Sequence, residues 1–484
     1  MFRIKPQPRP VPKIGLVINS IEAFSPEAKD NAERATREFF DSLLKSKEID
    51  PASIIIGRLF GPHEAMEAAD QLAAACVDLI LIVNIAFPNG QVFLTIATHP
   101  HLARTPIAVV ADPEPSQEEW ASNAWCGVIM NNHVAKMIDR PIASVPGPVG
   151  SKSFGTEISR LIRVAGTIKH LRRDFIGRIG DAPGGFHSAS GDQLAFAKVF
   201  GTRMDTVDLS AVIETYKSGR AKGYLGEQTF TEDEVKAIAN ELKEGRKVEV
   251  GDDMLCNSAR LYLTYRAIVR ANGYTAAAFR CWPEQLEPYI GVATCLPAGL
   301  LVGQAELTAA ACEGDWPMSV AQTMGSILSG VAAYFLDFVN YTGGSEIIQL
   351  GHCGIGVCGA MADKPGKCGG PCDTIAVHPV IRQAGGNIGA TVIGQFAYGP
   401  KTGICLMQKR DGQFAILSFQ GENTPDTAKG LKYSGADLLV PSYKEVNRVV
   451  LEYGFPHHLA VAVGYLNEDL GLMCKFLGVE HIGL

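Results

Sequence analysis

Two hydrophobic rhythms run along this chain, and they change over near residue 340. In the first third, short uninterrupted apolar runs (KIGLVIN at 13–19, III at 54–56, DLILIVN at 78–84, PIAVVA at 106–111) read as strands. Between them apolar residues recur at three- and four-residue steps, as in Ala32, Phe39, Phe40, Leu43 and Leu44 after the Ser25-Pro26-Glu27 helix start, and again over His63–Ala75. Strands alternating with helices predict a parallel, doubly wound sheet. Residues 147–155 (GPVGSKSFG) read as a linker followed by a basic helix, and a second strand–helix series opens at Phe175–Ile179. Thr231 with Glu234 three residues on is a capping box for a helix reaching Leu242, and Gly273 ends a long helix from Asp253. Beyond Asp337 the apolar runs become short and closely spaced (347–350, 374–378, 390–396, 403–407, 414–419), with Gly-rich turns and an Asp411-Gly412 hairpin. That pattern predicts an antiparallel barrel or sandwich. The expected fold is α/β: two doubly wound Rossmann-like domains, 1–168 and 169–328, then a β-barrel-containing domain, 329–484.

The segment from Ala311 to Asn340 breaks the rhythm in an informative way. Glu313 and Asp315 follow one apolar small-residue run, and Asp337 sits within another, YFLDF. A carboxylate inside an apolar segment needs a cation, a hydrogen-bond net or a metal ion to offset its charge. Met318 to Ala333 has helical periodicity, and a helix between two strand-like runs returns the chain to the same sheet end. Glu313 and Asp337, 24 positions apart, can then face one site.

Composition removes several function classes. The chain has 484 residues, 46% hydrophobic and 20% charged, with net charge −7. Nothing in that balance marks a nucleic-acid or anionic-membrane partner. No apolar run has the length of a membrane span, and the basic, Pro-rich N-terminus lacks an apolar core of signal-peptide type, so a cytoplasmic location is expected. No G-x-G-x-x-G follows the first strand, so no dinucleotide site is indicated. The loop 84–91 (NIAFPNGQ), with Asn89, lies where such sheets collect ligands, and it is also readable as a plain connector. Cys353, Cys358, Cys368 and Cys372 lie within twenty residues, in a spacing unlike the usual zinc ribbons.

E-x-D followed by Asp 24 residues on, with the late pair His457-His458, resembles the L-fucose isomerase and L-arabinose isomerase superfamily. The resemblance implies an aldose–ketose isomerase of L-fucose, D-arabinose, L-arabinose or a modified, anionic aldose, working through an ene-diol with manganese or another divalent metal. By that resemblance Glu313 and Asp337 are the metal-binding, proton-transferring carboxylates. His458 completes the ligand set, and His352 is a further ligand by likeness to the arabinose branch. Asp315 orients its surroundings. Adjacent strand residues point to opposite faces, so His457 is left for substrate or support. Trp282, Arg280 and Asn89 are the remaining substrate-contact candidates, and Lys364, Lys367 and Lys401 are candidates for an anionic substituent. The family also implies a homo-oligomer, a hexamer or similar, with a monosaccharide as the partner molecule. Two rival readings are a sugar-binding protein without turnover and a zinc-stabilised assembly protein built on the cysteine cluster.

Overall fold

The structure, a computed structural model, describes residues 5–114, 120–244, 246–281, 290–341, 345–352, 374–377, 389–424 and 434–484. They cluster into two compact units. Trp282, Lys364, Lys367 and the four clustered cysteines lie outside the described residues.

One unit comprises Arg9–His170 with Asp469–Val479. Its strands β1 (Ile14–Asn19), β2 (Ile54–Leu59), β3 (Leu79–Asn84), β4 (Ile107–Ala111) and β5 (Ala143–Pro146) form one parallel sheet in the order β2-β1-β3-β4-β5. Helices α1 (Pro26–Lys45), α2 (Pro62–Ala74), α3 (Gly90–Thr98), α4 (Ala124–Met137) and α5 (Lys152–Leu171) supply the connections that parallel pairing demands. Successive strand residues enter two different cores. Ile14, Leu16, Ile18, Leu79, Leu81 and Val83 pack with Phe40, Leu43, Phe154 and Leu161. Val17, Ile80 and Ile82 pack with Leu72, Phe93, Ile96 and Val128. A sheet covered on both faces has no polar side, which is why these strands read as unbroken apolar runs. One local expectation is corrected. The 147–155 stretch is not all linker, since α5 begins inside it at Lys152. The 84–91 loop runs straight into α3, with Asn89 as the cap.

The other unit comprises Met1–Pro8, Leu171–Glu468 and Glu480–Leu484. Strands β6 (Phe175–Ile179) and β7 (Arg203–Val207) flank helix α6 (Gln193–Val199). After α7 (Leu209–Ser218) come a hairpin of β8 (Arg220–Gly223) and β9 (Gly226–Thr229), helix α8 (Glu232–Lys243), the short β10 (Lys247–Val248) and α9 (Asp252–Asn272). Then follow β11 (Ala276–Phe279), α10 (Cys295–Gly303), β12 (Ala310–Ala311) and α11 (Trp316–Ser329). The parallel order β12-β11-β6-β7 places the end of β12 beside β11 through Ala278↔Ala311. Helix α11 stops earlier than periodicity predicts. Gly330 takes the left-handed conformation (φ 73°) and its N–H bonds Ser326 O, so residues 331–333 leave the helix and enter the next strand.

That next strand is β13 (Tyr334–Tyr341), followed by β14 (Ile347–His352), β15 (Thr374–Val377), β16 (Ala390–Gln395), β17 (Gly399–Gln408), β18 (Phe414–Asn423) and β19 (Ser434–Leu439). Helix α12 (Tyr443–Tyr453), β20 (His458–Val463), α13 (Asn467–Leu477) and β21 (Glu480–Gly483) complete the chain. Six of these strands close a barrel, β13-β14-β19-β18-β17-β20 and back to β13. Followed around the barrel, the register puts Leu336, Leu350, Leu438, Leu417 and Leu459 on one face, all 0% exposed, which makes it the interior. The opposite face carries Phe335, Asp337, His458, Ala460, Ala462 and Ile404. Helix α11 lies on that face at Gly325, where an added Cβ would come within 2.9 Å of Ala462 and 3.2 Å of Ile404. The protein is thus α/β with parallel sheets and a C-terminal closed barrel. Among the described residues no helix is long and apolar enough to cross a membrane.

Candidate active site

The site forms where the end of β12, the start of α11 and the outer face of β13 and β20 meet. Between β12 and α11 the chain makes a tight turn, Cys312-Glu313-Gly314-Asp315, closed by Asp315 N–H to Cys312 O at 3.0 Å. Both central residues have positive φ, 57° at Glu313 and 65° at Gly314. For Glu313 this is a sparsely populated conformation, with a cost on the order of 1–3 kcal/mol, and such strain gathers at functional sites. Gly314 is required for a second reason: a Cβ there would stand 2.9 Å from the backbone of Asp181 and Ala182. The turn is pinned from outside by Arg178, whose Nε donates to Gly314 O at 3.1 Å while Nη2 pairs with Asp181 at 2.6 Å. Gly314→Ala is therefore expected to destabilise the protein by about 1–2 kcal/mol from the left-handed backbone alone, plus the clash. A thermal melt at least as high as that of the unaltered protein would count against this account of the turn.

Asp315 caps α11 by accepting from Met318 N–H at 3.0 Å, and its second oxygen accepts from His458 Nδ1 at 2.7 Å. It is 1% exposed, and His458 is fully buried. This bond leaves the other ring nitrogen of His458 facing the remaining acids. Glu313 Oε2 lies 3.1 Å from Nε2 and Asp337 Oδ1 lies 3.4 Å from it. Asp337 reaches that position because it is paired directly with His458 across β13 and β20, and directly opposed residues share a face. His352, at the end of β14 and one residue beyond Asp337's partner Gly351, brings its Nε2 to 3.9 Å from Asp337 Oδ2. Two overlapping triads have ligand atoms within 4.8 Å of one another: Glu313, His457 and His458, and Asp337, His352 and His458.

The electrostatics of the cluster demand positive charge. Burial alone would depress the His458 imidazole, but the Asp315 carboxylate bonded to Nδ1 and the Glu313 carboxylate close to Nε2 outweigh it and raise the group to about 9. Burial raises the Asp337 carboxyl; His352 and His458 pull it back and Glu313 pushes it up, leaving it above the ordinary carboxylate range. Two buried atoms here, His458 Nε2 and Asp337 Oδ1, have no hydrogen-bond partner of acceptable geometry among the described residues. Orphaned polar atoms that face one another across acidic groups fit a bound cation. The donor set of carboxylate oxygens with one or two imidazoles suits manganese or a similar divalent ion. The Asp315–His458 pair matches the way a carboxylate behind a ligand histidine fixes its tautomer.

The remaining sequence-predicted residues fall elsewhere or play other parts. His457 is exposed, its Nδ1 3.3 Å from Ser188 Oγ. Arg280 closes β11, and its Nη1 donates to Ala182 O at 3.3 Å. Asn89 belongs to the five-stranded unit, where it accepts from Gln91 N–H and donates to Phe60 O at 2.7 Å. Lys401, a candidate for an anionic substituent, is 0% exposed: its Nζ is within 3.2–3.5 Å of the carbonyls of Tyr398, Gly399 and Pro400, and burial lowers it to about 8. Arg178 and Ser188 were not anticipated. Arg178 carries a sequence signal only in hindsight, as a cation in the apolar strand FIGRI.

No family profile matches the chain. It is similar to the sulfoquinovose isomerase of Clostridium sp. (strain MSTE9), 24% identical over 413 residues, covering 84% of this chain and 86% of that protein. A sulfoquinovose isomerase of Alkalicoccus urumqiensis is 24% identical over 421 residues (84% and 88%), and one of Priestia aryabhattai 21% over 414 (85% and 86%). An ABC transporter solute-binding protein from Burkholderia multivorans superposes with a TM-score of only 0.18 at 15% identity, over 57% of this chain and 82% of that one, too loosely to bear on the fold. The chain is accordingly an enzyme, an isomerase of the intramolecular oxidoreductase type.

Proposed function

We propose that the protein interconverts an aldose and its ketose through an ene-diol, with a divalent cation held by Glu313, Asp337 and His458 and supported by His352. The observation that carries this reading is the convergence of two carboxylates on the unpartnered Nε2 of one buried imidazole. The sugar that names the relatives, sulfoquinovose, is an aldohexose with a sulfonate at C6, which favours the anionic-aldose alternative over a neutral fucose- or arabinose-like sugar.

The reaction moves a proton between C1 and C2 and another between the two oxygens. When bound, the cation supplies Lewis-acid polarisation of those neighbouring oxygens. The chain supplies the rest. Glu313 and Asp337 approach the same point from different elements, one from the β12–α11 turn and one from the barrel, so they can carry protons on two sides of a sugar. In the cation-free site burial raises the Asp337 carboxyl, and a bound cation would offset that cost. Asp315 holds His458 with its Nδ1 proton directed away from the substrate. Helix α11 and the outer barrel face bury His458 fully, while the Asp337 side chain stays 32% exposed and open to a substrate.

The test is an aldose panel containing sulfoquinovose, L-fucose and L-arabinose, scored for ketose in D2O with manganese or with chelator. The expected result is ketose with deuterium entering the carbon skeleton, lost to chelator and restored by manganese. Turnover unchanged after exhaustive chelation would reject the cation, and absence of any ketose would reject the reaction.

A further inference from the structure

Beside the carboxylate cluster lies a second feature that the chemistry above does not use. Strand β17 pairs with β20 as far as Ile404↔Ala460, so its next residues run alongside His458 and Pro456 and then turn at Lys409-Arg410-Asp411-Gly412. This edge and the segment after β6 enclose a cleft of about 310 Å3, with His187, Ser188 and Ser190 on one wall and Gln408, Lys409 and Arg410 on the other. The cleft adjoins the reacting groups, because Ser188 touches His457 and Pro456 lines it.

Its charge is specific. Lys409 is neutralised by an ion pair with Glu480 and has Asp411 nearby. Gln408 is engaged by the N–H of Asp192 at 2.8 Å, and Ser190 Oγ accepts from Arg178 Nη2 at 3.5 Å. Arg410 is exposed, and no carboxylate among the described residues pairs with it. The cleft therefore offers one uncompensated guanidinium, with five donor groups in a fork, opposite two serine hydroxyls.

We propose that this cleft receives a tetrahedral oxyanion, a sulfonate or phosphate, on the far carbon of the aldose whose carbonyl end sits at Glu313, Asp337 and His458, with Arg410 as its principal ligand and Ser188 and Ser190 as donors. The inference rests on the function proposed above.

The experiment compares kcat and KM of the full-length protein with manganese for sulfoquinovose, glucose 6-phosphate and glucose, in the unaltered chain, Arg410→Ala and Arg410→Lys. The expected result is a tenfold or greater rise in KM for the anionic sugar with Arg410→Ala, a far smaller change in kcat, and partial recovery with Arg410→Lys. The preference for anionic over neutral sugar should fall by the same factor. The two anionic arms distinguish sulfonate from phosphate. An unaltered enzyme that prefers glucose, or an Arg410→Ala enzyme whose KM for the anionic sugar stays within twofold, overturns the subsite while leaving isomerisation intact. An enzyme that turns over none of the three but forms ketose from L-fucose or L-arabinose overturns the subsite alone, and one that forms ketose from no sugar of either panel takes both proposals with it.

Discussion

Glu313→Gln should lower ketose formation by about 10²–10⁴-fold, the range attributed to a positioned general acid–base group, without lowering the melting temperature. Glutamine keeps the shape of the side chain and its reach toward His458, so the turn and α11 have no reason to move. What disappears is one of the two negative charges that face the unpartnered Nε2. Two consequences follow in opposite directions. Affinity for manganese falls, because one hard anionic ligand is gone. In the cation-free protein, however, Asp337 is relieved of a like charge that pushes its carboxyl up, so its titration should move down toward the ordinary range. A site assembled for chemistry is stabilised by removing its repulsion, whereas a structural carboxylate is not. Deuterium exchange at the sugar carbon, isothermal titration with manganese and a thermal melt read the three effects separately. Turnover within tenfold of the unaltered protein would remove Glu313 from the reaction.

How much of this arrangement was legible beforehand depends on the range of the interaction. The carboxylates stood out because a charge in an apolar run is anomalous at any distance, and Glu313 and Asp337 are both such cases. Strand alternation was expected to separate His457 from His458; the structure buries the second and exposes the first, yet the strand begins only at His458 and both rings keep a ligand atom within 4.8 Å of Glu313. The parallel sheets were visible as unbroken apolar runs, because two-sided burial is written into each strand by itself. Local periodicity is blind to what comes from elsewhere. Asp337 meets His458 by pairing across 121 positions (458 − 337), and no property of either strand specifies that partner. The two-residue strand β12 is too short to carry a period, yet it sets Glu313 at the end of the middle sheet. The positive φ of Glu313 has no signature in a glutamate; only the following Gly314 hints at it. Arg178 acts through a carbonyl, and a backbone acceptor leaves no mark in a sequence. Helix α12 lies between two barrel strands, and the strand pattern around it masks its own period.

Asp315→Asn should weaken manganese binding by about 10–100-fold, the usual effect of losing the partner behind a ligand histidine, with little change in stability. Asparagine can still cap α11 through its oxygen, since the cap needs only an acceptor for Met318 N–H. The group then presented to His458 Nδ1 is an amide NH2, a donor where the carboxylate was an acceptor. Imidazole responds by placing its proton on Nε2, so that nitrogen points a hydrogen, rather than a lone pair, at Glu313 and Asp337. The ligand has not moved, but it has ceased to be one. Asp315→Ala separates the two duties of this side chain. It loses the cap as well, at about 0.5–2 kcal/mol, yet it imposes no donor on Nδ1 and leaves the tautomer free. The alanine variant should therefore be the less stable of the two and the tighter binder of manganese. Nitrogen chemical shifts of His458 report the tautomer directly, and calorimetry reports the affinity. If asparagine and alanine weaken binding equally, the loss comes from displacement of the helix start, and the carboxylate has no hold on the imidazole's proton.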